Sequence, residues 1–62
     1  MTIKFRLVLV GKLGNQLYVD KGNDCETYKE AQSNELRFRK RADEQGVTTQ
    51  WVFIEAIPYG QV

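Results

Sequence analysis

The chain has 62 residues, with nine Lys or Arg against eight Asp or Glu, no His and a single Cys. That length holds one domain, which buries only about 60% of the surface its unfolded chain exposes. A net charge of +1 gives no global field that would gather nucleic acid or an anionic membrane.

The lone Cys25 cannot form an internal disulfide, so a reducing, cytoplasmic setting is expected. Without His there is no side chain whose ordinary pKa suits a general base at neutral pH, and Cys25 has no evident activating partner. No metal-ligand spacing is present, and so short a chain has little concavity for a small-molecule substrate. We therefore expect no enzyme, no cofactor and no metal. The chain begins with Met1 and has no linker or low-complexity stretch, so a complete small open reading frame is expected.

The first segment alternates Ile3, Phe5, Leu7 and Leu9 with Lys4, Arg6, Val8 and Val10, the pattern of a strand whose odd positions face a core. It is too short and too charged to span a membrane, and no cleavage site follows it. Gly11-Lys12-Leu13-Gly14 turns the chain back. A three-residue loop at 12–14, with Gly14 in the left-handed position, sets Leu9 opposite Leu17 and Leu7 opposite Val19. Leu17 and Val19 then join the core, and Tyr18 falls on the outer face beside Val8 and Val10. The same four residues match the GxxG string of KH loops, but that loop joins helices and this one joins strands. A P-loop would need a longer run ending in Gly-Lys-Ser/Thr before a helix.

Lys21-Gly22-Asn23-Asp24 is turn chemistry. Asn23 with Glu26 reads as a capping box that starts a helix near Asp24, and Gly46 ends it. Its acids come early and its bases late, as the helix dipole favours. Tyr28, Ala31, Phe38 and Ala42 form a thin apolar stripe, from which Leu36 points away. The acidic cluster Asp20, Asp24 and Glu26 lacks the spacing of a calcium loop.

Thr48 to Pro58, TTQWVFIEAIP, is the densest apolar run. Read with a period of two it has Trp51, Phe53 and Ile57 on one face and Val52, Ile54 and Ala56 on the other. We take Val52, Ile54 and Ala56 as inward, because the opposite face carries Glu55 and an unpartnered buried carboxylate is costly. Pro58 should stop the strand, leaving a domain at 1–58 and a short tail at 59–62.

Together these elements predict an α+β fold, ββαβ, with a three-stranded antiparallel sheet of order 2-1-3 and one helix on one face, joined by a right-handed crossover. The open sheet face would then carry Val8, Val10, Tyr18, Trp51 and Phe53, rimmed by Lys4, Arg6 and Glu55. A contiguous apolar patch of that kind marks an interface. The expected function is that of a small non-enzymatic protein-binding module, an inhibitor or modulator of a larger intracellular protein such as bacteria and phages encode, or else a homodimer built on the same face.

The alternative is a nucleic-acid-binding protein that uses either a basic helix end or the aromatic sheet face, where Trp51, Phe53 and Tyr18 would stack bases while Lys4 and Arg6 grip phosphate. Its basic helix end at residues 36–41 has Arg39 and Lys40 in i,i+4 pairs, which leaves Arg37 and Arg41 as the available bases, joined by Lys4 and Arg6 on the sheet.

Overall fold

The structure, a computed structural model, describes residues 2–59. Its elements are β1 (Thr2–Leu13), β2 (Gln16–Lys21), α1 (Tyr28–Gln32), α2 (Glu35–Glu44) and β3 (Thr48–Tyr59). The sheet is antiparallel with order β2-β1-β3, the predicted α+β arrangement with β1 at the centre. Two strands of twelve residues make it a long, flat body, 43 × 21 × 13 Å over the Cα atoms.

The β1–β2 hairpin departs from expectation. Its loop is Gly14-Asn15, because Leu13 pairs with Gln16, Gly11 with Tyr18 and Leu9 with Asp20. Gly14 has φ +64° and occupies the first central position, where two-residue hairpins favour glycine. The change from the expected register is odd in residue count, so every β2 side chain changes face. Tyr18 and Asp20 turn toward the helices, with Tyr18 against the core. Leu17 and Val19 are exposed instead.

The β1–β3 ladder pairs Leu7 with Ile54 and Leu9 with Val52. Val52 and Ile54 lie against the core, as expected. A bulge between Val10 and Gly11 on β1 opposes an extra residue, Gln50, on β3. There the backbones close up. A Cβ on Gly11 would lie 2.5 Å from the Thr48 carbonyl oxygen and 2.8 Å from Val47 Cγ1.

β3 continues through Pro58 to Tyr59, which an edge strand tolerates because one side of its backbone needs no ladder partner. The expected tail therefore overlaps the strand at Tyr59, and residues 60–62 lie outside the described residues.

The helix begins later than Asp24 because Cys25 is used elsewhere. Its N–H and C=O both bond to Phe5, at 2.7 and 2.9 Å, extending the sheet beyond β2. A second capping box takes over four residues on. Thr27 Oγ1 accepts from the Glu30 N–H, and Glu30 Oε1 accepts from the Thr27 N–H.

The helical layer is also jointed. Ser33 donates its hydroxyl to the Glu30 carbonyl at 2.6 Å, the local side-chain bonding that weakens a helix interior. α2 ends in a Schellman motif, with the Val47 N–H bonded to the Ala42 carbonyl and the Gly46 N–H to that of Asp43. Gly46 has φ +80°, and the motif delivers Val47 into the core.

That core consists of Leu7, Leu9, Phe38, Ala42 and Val47. With so few buried side chains each carries a large share of stability. Leu9→Ala should cost ~2–5 kcal/mol, a large part of the margin of a small domain, whereas Leu36→Ala, on an 81% exposed side chain, should stay within about 0.5 kcal/mol. Urea unfolding of the two variants measures both.

Candidate protein-binding face

On β1 the even-numbered side chains point away from the helices, and the two ladders align their neighbours in rows. One row is Val19, Val10 and Trp51; the next is Lys21, Val8 and Phe53. Leu17 beside Lys12 extends the surface at the hairpin end. Toward the other end come Arg6 with Glu55, then Lys4 with Ile57.

The centre of this face is apolar and wet. Trp51 is 62% exposed, Phe53 48% and Leu17 67%, whereas Val8 is buried beneath its neighbours at 3%. Four of the five residues predicted for the face, Val8, Val10, Trp51 and Phe53, are thus brought together. Tyr18 is not, for the register reason given above, and Leu17 and Val19 stand in the face instead. The signal for them was present, since Gly-Asn is itself a two-residue hairpin pair.

The charged end is internally neutralised. Arg6 donates to Glu55 Oε1 at 2.7 and 3.2 Å and lies 4.0 Å from Asp24. Lys4 donates to Glu26 at 2.9 Å and sits 5.5 Å from the Tyr59 ring centre. The hydrogen bond from Arg6 holds the Glu55 carboxyl below its usual range, against partial desolvation and with help from the Arg6 and Lys21 charges. The hydrogen bond to Glu26 raises the Lys4 ammonium above its usual value, and Asp20 does the same for the Arg41 guanidinium.

Arg37 and Arg41 lie on the opposite side of the sheet. They line a shallow cleft of about 200 Å³ with Gly22, Asn23, Asn34 and Phe38. Arg41, expected to be an available base, is clamped by Asp20 at 2.8 and 3.0 Å and stacked 4.7 Å from the Phe38 ring centre. Arg37 bonds the Asn34 amide oxygen at 2.9 Å. The four bases of the nucleic-acid alternative are therefore divided between two surfaces.

Among the described residues no group of carboxylates and Cys25 is arranged to hold a metal, and no helix is long and apolar enough to cross a membrane. Comparison of the chain with family models, with curated proteins and with solved structures finds no match. The functional reading rests on geometry.

The Arg6–Glu55 pair sets a pH dependence. The folded pKa of Glu55 is depressed, so between the folded and unfolded values the unfolded chain binds more protons, and stability rises with pH. The contribution is complete above the ordinary carboxylate value and disappears as pH falls through the depressed one. Thermal unfolding between pH 7 and pH 2 should show wild type above Glu55→Gln at neutral pH, with the two melting temperatures converging in acid.

Proposed function

We propose that this protein is a non-catalytic binding module that docks a protein partner on its open sheet face, with Trp51 and Phe53 as anchors. The observation that supports this most is the exposure of two aromatic side chains above a buried Val8, in rows continued by Val10 and Val19. The helix-side core does not account for them, since it is built on the other side of the sheet.

Fully buried aromatics remove 150–250 Å² each, so at their present exposure these two offer about 200 Å² between them, worth up to ~5 kcal/mol at 25 cal/mol per Å². Aromatic anchors at the centre of a patch with a charged rim match the layout of binding hot spots. The rim here is Lys12 and Lys21 on one side and the Arg6–Glu55 and Lys4–Glu26 pairs on the other.

We place the protein in the cytoplasm on the strength of its unpaired Cys25. The partner in this reading is a larger protein that the module inhibits or modulates. The nucleic-acid alternative is disfavoured by the carboxylates already neutralising Lys4, Arg6 and Arg41, since phosphate binding gains when free Lys or Arg side chains displace the counterions condensed on the nucleic acid.

Trp51→Ser should abolish capture of a partner from cell lysate while shifting the melting temperature by only a few degrees. Phe53→Ser should also abolish capture, with a larger thermal loss because it uncovers Val8. Undiminished capture by both variants contradicts the proposal. Unfolding of Trp51→Ser would mean that its side chain supports the core.

A further inference from the structure

A different part of β3, its free backbone edge, carries an inference that does not depend on the open-face reading. Phe5 exchanges both of its main-chain hydrogen bonds with Cys25, on the β2 side of β1. In an antiparallel ladder the N–H and C=O of one residue point the same way and successive residues alternate. Lys4, Arg6, Val8 and Val10 therefore turn toward β3, where they meet Ile57, Glu55, Phe53 and Trp51. It follows that Val52, Ile54, Ala56 and Pro58 direct their main-chain groups outward. Among the described residues no strand lies beyond β3, and the backbone bonds made outside strands and helices include none from these four.

Proteins guard such edges with proline, lysine, bulges or short length. Here the guards stand at the ends. The bulge lies at Gln50, and Pro58 puts its missing N–H on the outward side. The seven residues between them, 51–57, carry one charge, Glu55, which is turned back across the sheet to Arg6. The opposite edge differs. β2 has six residues and closes with Asp20 and Lys21.

We infer that the β3 edge pairs antiparallel with β3 of a second copy of this chain, forming one six-stranded sheet of order β2-β1-β3-β3-β1-β2. A two-fold axis perpendicular to the sheet at Phe53 sets Val52 of each copy against Ile54 of the other. It also matches side-chain layers, with Val52 and Ile54 beside their equivalents under the helices, and Trp51 and Phe53 beside theirs on the open face. A foreign strand would need that same alternation; a second copy has it by symmetry. Assembly stops at two because the outer edges are the short, charged β2 strands. A domain with so small a core is also one that gains from a second subunit. The two open faces come to lie side by side, doubling the surface available to a partner.

Amide hydrogen exchange of the purified protein tests this directly. At high micromolar concentration Val52 and Ile54 should exchange as slowly as the inward-bonded Phe53 and Glu55, and sedimentation should give twice the chain mass; on dilution, mass and protection at those two positions should fall together. The full chain made by chemical synthesis with an N-methyl group on Ile54 keeps every side chain and internal bond and should sediment as a monomer, whereas Trp51→Ser should remain a dimer. A folded monomer with rapid exchange at Val52 and Ile54 overturns the proposal. So does a dimer that persists with N-methyl Ile54 but dissociates with Trp51→Ser, which would put the contact on the open face. Rapid exchange that slows only when lysate is added would assign the edge to a foreign strand and also overturn it.

Discussion

The position of β1 between two antiparallel ladders is the constraint on which the other features depend. Because side chains alternate with a period of two, each ladder's register decides which face every residue of its partner strand occupies. The two-residue loop at Gly14-Asn15 places Asp20 on the helical side, and there it grips Arg41, which lies over Phe38. That chain of contacts ties α2 to β2. The other ladder slides Val52 and Ile54 beneath the helices and so leaves Trp51 and Phe53 in water. A one-residue slip in either ladder would exchange core and surface along a whole strand.

Much of this was legible from the residues. The alternation from Ile3 to Val10 identified the central strand, and Glu55 identified the outward face of β3, since a carboxylate needs water or a partner and found Arg6. Gly46 marked the end of α2. The failures have physical causes. Two loop lengths were open for the hairpin, and they differ in parity, so choosing the longer one put Tyr18 on the wrong face and concealed Leu17 and Val19. Two capping boxes lay four residues apart, and propensity could not rank them; the backbone pairing of Cys25 with Phe5, twenty positions away, is a tertiary contact that local sequence does not encode. Val47 escaped notice because it lies beyond the helix, and only the Schellman geometry carries it inward. Arg41 looked available on its own helix because its partner Asp20 is on β2.

The domain's economy of material explains why a face remains bare. Helices of five and ten residues cover one side of a sheet whose long strands have twelve each, and nothing among the described residues covers the other. A sequence selected for folding alone would place polar residues there, as the charged end of the face does with Lys4, Arg6 and Glu55. The centre holds valines and aromatics instead, a departure from the pattern of local and global agreement that points to a functional demand. Val8, buried without help from the helices, shows that this surface already has a small hydrophobic layer of its own on which a partner would build.

The open face stands or falls with Trp51 lying in water on a folded chain. As the single tryptophan of the sequence, it can be read without labelling, by acrylamide quenching of its fluorescence in dilute protein under native conditions. Red-shifted emission is expected, quenched nearly as efficiently as in the urea-unfolded chain, while far-ultraviolet circular dichroism reports the fold intact. Blue-shifted emission shielded from acrylamide in the folded protein would contradict that expectation, because Trp51 would then belong to the core and the open face would have to be redrawn.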